Sequence, residues 1–325
     1  MTVSEPVTVV DGELPRTRLY EVAPGAKPVE VVAAGERFTL VTLDASGNQI
    51  RPGIDPGQIR PERLFPVTGP VAVEGVAAGD AVGVFIDAIR PEAHGHVWSR
   101  PGLGFGSDGR FAVQRYTVDD RHVTSLGSPA VSAPRQVHTG TLGVLPESPA
   151  PARSLGSYGG NLDVPMLQSG AMLWVRAGTH GAGVFAGDVH AAMGDGEICG
   201  TGVEVPARVD LRATALKDWE LTHPVVMSGD RAWLIGIGDS VESALAGVLP
   251  TLLSRVSAVR DVDKANAFLI VSLLLEIKLC QIVNPYTSIA VSLASGLDRH
   301  LVPSDAWAAY SSLLSTTTSD TQERS

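Results

Sequence analysis

Short runs of β-branched and apolar residues, broken by glycine and proline, fill most of the first 240 positions of the chain. They predict strands at 29–32, 37–44, 137–146, 207–213, 224–227 and 232–238. Between 67 and 91, Val71, Val73, Val82, Val84 and Ile86 alternate with other residues, which marks strands joined by the A-A-G-D turn at 77–80. Residues 51–66, rich in proline, arginine and glycine, read as a long loop, and loops of that length are often functional. The pattern changes at Asp239. Apolar residues then recur at helical spacing over 240–253, with Asp239 as N-cap and Pro250 bending or shortening the helix. A second helix is predicted over 265–283, capped by Asp263 and stopped by Asn284-Pro285. A strand returns at 287–293, and a last helix starts at Ser304 or Asp305 and ends at Leu314.

Strands first and helices late give a β-dominated α+β fold, with a β-sandwich or barrel-like N-terminal part and a smaller C-terminal α+β part. The divisions fall at 1–28 (irregular), 29–146 (β-rich), 147–238 (β-rich and catalytic), 239–314 (α+β, with the helices) and 315–325 (a polar, disordered tail). A net charge of -10 and the lack of a basic patch argue against a nucleic-acid partner. The longest apolar run, 265–283, contains Glu276, Lys278 and Gln281, so it reads as a packed helix and not a membrane span. With only two cysteines, Cys199 and Cys280, there is neither a disulfide framework nor a zinc ribbon, and a reducing cytoplasm fits. The first residues, M-T-V-S-E-P-V-T-V-V, lack the charged and apolar regions of a secretory signal.

Chemistry concentrates in residues 159–204. Asp188 and His190, in G-D-V-H-A-A-M-G-D-G-E (187–197), are two apart, a spacing that puts both on one face of a strand, where they can share a metal ion. Asp195 and Glu197 follow with the same spacing and can add oxygen ligands or act as general acid and base. The bland alternative is an acidic turn between two strands. In G-G-N-L-D (159–163), the glycines admit close approach of a ligand, Asn161 can bond a carbonyl or amide, and Asp163 can bind metal; a turn before a strand is the competing reading. His138 and the pair His94 and His96 are further imidazoles, more often structural than ligating. No G-x-S-x-G elbow, P-loop or placed dinucleotide fingerprint occurs, which leaves carboxylate and metal chemistry.

These blocks resemble the central signature of the acetamidase/formamidase family, with C-G-T-G-V-E ending at Glu204. The resemblance extends to Thr42-Leu43-Asp44, to T-G-P-V-A-V-E-G-V-A-A-G-D (68–80) and to the segment 279–285. It implies a cytoplasmic, metal-dependent hydrolase that cleaves short linear amides and releases ammonia, assembled as a homo-oligomer, with a dimer the expected count. The matching polar residues are Asp44, Glu74, Asn161, Asp163, Asp188, His190, Asp195 and Glu197. Tyr158, Val137-His138, Gly75-Val76 and the spacer 174–179 depart from the family pattern and bear on the substrate pocket. On this reading Asp163, Asp188 and His190, with His138, hold a divalent ion, zinc first and calcium as the alternative. Glu74 or Glu197 is the general base, Asn161 and the amides of Gly159 and Gly160 steady the oxyanion, and Asp195 is a ligand or orients His190. Two other readings compete: a hydrolase of another amide, ureide or guanidine-like substrate, and a non-catalytic metal- or ligand-binding relative.

Overall fold

The computed structural model of the chain describes residues 7–54, 56–106 and 110–322. A sheet of nine strands runs in the order Thr8–Asp11, Arg37–Thr42, Ala207–Leu216, Ala81–Pro91, Met172–Arg176, Val225–Ser228, Arg231–Gly238, Thr287–Leu293, Leu275–Gln281. A second sheet of twelve strands carries His94–Ser99, Glu204–Val205, Val184–His190, His138–Val144 and Gly159–Asn161 as successive neighbours near its middle. Val67–Val73 pairs with Val184–His190 off that path.

Period-two alternation explains the layering. Along Ala81–Pro91, Val82, Val84 and Ile86 enter a core shared with Val71, Leu142, Val144, Val184 and Val189 of the second sheet. Ala81 and Phe85 enter a second core with Val248, Leu252 and Val256 of helix α1 (Val241–Arg260). The nine-stranded sheet is thus buried on both faces, which accounts for its near-continuous apolar strands. The β-dominated α+β reading holds. The two sheets form a sandwich with helices on one outer side, and neither sheet closes into a barrel. The A-A-G-D turn forms as predicted, with the Ala77 amide donating to Asp80 Oδ2 at 2.8 Å. It joins strands of different sheets, so it carries the chain from one layer to the other.

Several elements differ from the sequence pattern, each for a tertiary reason. The segment expected to be irregular contains Thr8–Asp11, which adds in parallel to Arg37–Thr42 at the edge of the nine-stranded sheet. Helix α1 is capped by Ser240, with a capping box to Ser243, and runs through Pro250 to Arg260. A proline inside a helix costs about 3 kcal/mol, and burial of Val248, Leu252 and Val256 against the sheet offsets it. Helix α2 (Lys264–Leu274) starts at Asp263 as predicted, but stops eleven residues on. The chain then extends as Leu275–Gln281, because pairing with Thr287–Leu293 satisfies its backbone on one side. Helix α3 (Ser304–Gln322) continues past Leu314 through most of the tail expected to be disordered. Residues 1–6 and 323–325 lie outside the described residues. Among the described residues no helix is long and apolar enough to cross a membrane.

The tail is held by a buried ion pair. Arg212 Nε and Nη2 donate to the two oxygens of Asp87 at 2.9 and 2.5 Å, a bidentate geometry. Arg212 also donates to the Leu313 carbonyl, and Thr317 Oγ1 donates to Asp87 at 2.8 Å. The side chains of Arg212 and Asp87 are 8% and 3% exposed, whereas those of Arg176 and Glu147 are 46% and 61% exposed. Replacing Arg212 by Leu leaves the buried Asp87 carboxylate with only Arg37, at 3.3 Å, and Thr317, and is expected to lower the unfolding free energy by about 3 kcal/mol. Arg176→Ala is expected to cost under about 1 kcal/mol. Urea unfolding of both variants checks the contrast, and equal losses would refute it.

Candidate active site

The strand ladder sets four side chains in a row across the twelve-stranded sheet. His138 lies opposite His190, His190 opposite Glu204, and Glu204 opposite His96. Directly opposed residues share a face with Cβ atoms about 5 Å apart. Register therefore builds this row, and a one-residue slip would turn a member to the other face.

Three more carboxylates come in through unusual backbone. Asp163, Asp188 and Glu197 have φ of 51°, 52° and 51°. This left-handed conformation costs a non-glycine residue about 1 kcal/mol or more and gathers at functional sites. Asp163, His190 and Glu197 offer atoms all within 4.8 Å of one another, and so do Asp188, His190 and Glu204. Gly140 makes the approach feasible. A Cβ there would stand 2.6 Å from Asp163 Oδ1 and 2.8 Å from Asp188 Oδ2. All five acidic and imidazole groups are buried.

Hydrogen bonds fix the protons. His138 Nδ1 is 2.9 Å from the Gln136 carbonyl and donates to it. Its Nε2 is then an acceptor, 3.3 Å from His190 Nδ1, which donates. His190 Nε2 is left facing Glu204 at 3.1 Å, Asp188 at 3.4 Å and Glu197 at 3.8 Å. It makes no hydrogen bond to any of them, and Asp163 Oδ1 and Glu204 Oε2 are likewise buried without a partner. Behind the cluster, Thr141 donates to Asn161 Oδ1 at 2.5 Å. Asn161 and Asn284 each donate from Nδ2 to Asp163 Oδ2, at 3.0 and 3.2 Å.

Burial raises Asp163 and Glu197 well above the usual carboxylate range, and neighbouring carboxylates add to the effect. Burial also pushes Glu204 up to about 8. Asp188 goes the other way, since the adjacent His190 more than offsets its burial. For His190, burial is outweighed by Glu204 and Asp188, which hold it well above an ordinary imidazole, while burial and then His190 press His138 down to about 3. Four carboxylates around one imidazole make a site that favours added positive charge. Among the described residues no lysine or arginine supplies it: Asp188, Glu197 and Glu204 have only His190 as an ion-pair partner. An imidazole nitrogen with carboxylate oxygens at such spacing is a donor set for a divalent metal ion.

Of the residues singled out in the sequence, His138, Asn161, Asp163, Asp188, His190 and Glu197 come together. The ring of His138 lies against His190, with Nδ1 at 2.9 Å from the Gln136 carbonyl and Nε2 at 3.3 Å from His190 Nδ1. Glu74 is exposed on the turn after Val67–Val73, and its amide bonds the Val32 carbonyl. Asp195 is exposed and pairs with Lys278 at 2.9 Å. Asp44 caps its own loop, accepting from Ser46 and Asn48. Gly159 and Gly160 lie in a strand paired on both sides. Glu204 and Asn284 gained no role from the sequence pattern. Glu204 follows Gly202 by two, which is a strand spacing, and Asn284 was hidden in a helix-stop dipeptide.

Known proteins resemble this chain in sequence and in fold. The Acetamidase/Formamidase family matches over residues 21–155 and 150–246. A formamidase of Methylophilus methylotrophus is 24% identical over 294 residues, covering 68% of this chain and 72% of the relative. The structure of an acetamidase from Yersinia enterocolitica superposes with a TM-score of 0.82 at 26% identity, over 93% of this chain and 95% of that one. A recombinant predicted acetamidase/formamidase from Thermoanaerobacter tengcongensis gives 0.79 at 26% identity, over 88% and 95%. With its signature blocks folded into one buried cluster, this chain belongs to the acetamidase/formamidase family and is a hydrolase acting on the carbon–nitrogen bonds of linear amides.

Proposed function

We propose that the chain hydrolyses short, formamide- or acetamide-like amides to carboxylate and ammonia, with a divalent metal ion, in the cytoplasm and as a homo-oligomer. The observation that carries the metal reading is His190 Nε2, buried, without a hydrogen bond and faced by three carboxylates. The donors fit such an ion: His190, Asp188 and Glu204 would hold it, with Asp163, which shares His190 in the second group, as a third oxygen donor. Zinc suits the mixed nitrogen and oxygen set, and calcium is the alternative where oxygens dominate. When bound, the ion supplies Lewis acidity that polarises a carbonyl and brings the pKa of water down to about 7.

The chain's own residues do the rest. His138 fixes the tautomer and ring plane of His190 through the Gln136 carbonyl, the usual task of a group behind a metal-binding histidine. Glu197, on the turn that begins at the exposed Gly194, takes the proton of the attacking water and returns it to the leaving nitrogen, which departs as ammonia. Asn161 and Asn284 each keep a second N–H beyond the one given to Asp163 and can donate it to the developing oxyanion.

The first test is ammonia release from formamide and acetamide by purified protein, with metal analysis of the same sample. Release that stops with a chelator and returns with added zinc or calcium is expected; full turnover by metal-free protein would overturn the metal reading. Asp188→Ala and His190→Ala should lose the ion and more than about a hundredfold in rate, beyond the scale of outer-shell residues. Glu74→Gln, at an exposed turn, should stay within about twofold, and a large loss there would move the base to Glu74. Gly140→Ala should weaken metal binding about tenfold or more by forcing Asp163 and Asp188 off their positions. Competition with a coloured chelator measures this, and unchanged affinity would refute the steric argument.

A further inference from the structure

The face that carries Glu204 continues along the next strand. His96 lies opposite Glu204, and Trp98, two along the strand His94–Ser99, shares the face of His96. Arg100, just past the strand end, keeps its guanidinium on that side, 5.8 Å from the centre of the Trp98 ring. Each of these three side chains carries a buried nitrogen without a hydrogen-bond partner: His96 Nε2, Trp98 Nε1 and Arg100 Nε. A buried N–H left unpaired is costly, and native proteins hold few of them. Trp98 Nε1 and Arg100 Nε can only donate, and His96 Nε2 donates in the tautomer that places its proton there. Three at alternate positions of one strand, beginning beside the cluster, make a line of donors that calls for oxygen acceptors.

The line ends at a cavity of about 350 Å³, whose lining includes Tyr20, Glu62, Leu64, Phe65, Arg100 and Arg153. Two other walls of this cavity also lead back to the cluster. Phe65, held at φ 57°, stands two residues before Val67, which comes opposite Gly187 beside Asp188. Arg153 precedes Ser154, whose carbonyl accepts the Asn161 amide. The cavity is thus tied by three separate segments to the strands that bear Glu204, Asp188 and Asn161. Its charge is positive. Among the described residues neither Arg100 nor Arg153 has an ion-pair partner, and Glu62 is exposed and pairs with neither. In a chain of net charge -10, two free guanidinium groups at one cavity suit an anion, and their planar forks match a carboxylate. Leu64, Phe65 and the Tyr20 ring suit the carbon chain that would bring it there.

We propose that the preferred substrate is an amide whose acyl chain ends in a carboxylate. The chain lies along His96 and Trp98 and sets its anionic end on Arg100 and Arg153, whereas formamide and acetamide fill only the reacting half of the site. The proposal rests on the amidase reading: water adds to the amide carbon, the carbon–nitrogen bond breaks, nitrogen leaves as ammonia, and the other product is a dicarboxylate. The test compares ammonia release from the monoamides of succinic, adipic and suberic acid with release from straight-chain alkanamides of matching length. At least one charged amide should show a kcat/KM about tenfold or more above its neutral counterpart, the scale of a charge-assisted hydrogen bond. Arg100→Gln should bring that ratio near one, mainly through KM, and Arg100→Lys, which keeps the charge, should retain most of it. Titration calorimetry of the metal-loaded protein with adipate and with hexanoate reads binding without chemistry. Adipate should bind about tenfold or more tighter, and Arg100→Gln should erase the difference. Ammonia release with no preference for the charged amides overturns the proposal and leaves the amidase reading intact; water alone then meets the three donors. A preference that survives Arg100→Gln overturns the seat on Arg100, as does equal binding of the two acids. Tighter binding of adipate through Arg100, with no ammonia from any amide, supports the anion seat and counts against the amidase reading alone.

Discussion

Four carboxylates buried around a single imidazole are the constraint on which the rest of this structure depends. Removing a carboxylate from water costs several kcal/mol unless a counter-charge and hydrogen bonds replace the solvent. His190 meets three of the four acids, and one imidazolium at most balances one of them. The cluster therefore takes up protons or a metal ion, and the upward drift of Asp163, Glu197 and Glu204 is the protein's response when only protons are on offer. Binding a divalent ion releases those protons. The same physics that makes the site costly in folding would favour a doubly charged cation there.

The sandwich provides the rigidity this arrangement demands. The row from His138 to His96 is set by strand register, and the strands beneath it are buried in the shared core through Leu142, Val144, Val184 and Ala186. Left-handed backbone at Asp163, Asp188 and Glu197 is sustained by that packing. Gly140 leaves the gap in which two acids approach each other.

Much of this was legible in the sequence, and the parts that were not have physical reasons. Two-residue spacing gave Asp188 with His190, and the G-G-N-L-D block gave Asn161 and Asp163. Asp195 and Glu197 share that spacing, yet the turn between them sends one to solvent and the other inward. Glu74 lies in a block that matches the family, yet its turn faces water. Spacing describes a strand and is silent about a turn. His138 was added to the ligands only as a further imidazole on a predicted strand; that its Nδ1 is held by the Gln136 carbonyl is something no side-chain pattern reveals. The strand Leu275–Gln281 was read as helix because helix and buried strand are hard to separate in an apolar run, and its partner strand decides the matter. The tail gained its helix from Asp87, more than two hundred residues away in the chain.

That reach along the chain also governs how the protein is made. Thr42 bonds Ala207, 165 residues later, and Arg37–Thr42 lies between Thr8–Asp11 and Ala207–Leu216 in the sheet. During synthesis the first two strands emerge long before their central partner exists. Folding of such topologies is slow, since distant segments must meet before any contact rewards the search. Until then one side of Arg37–Thr42 is an unpaired edge, open to pairing with other nascent chains. A ribosome that stalls before residue 207 would leave a fragment with half a sheet and no way to close it.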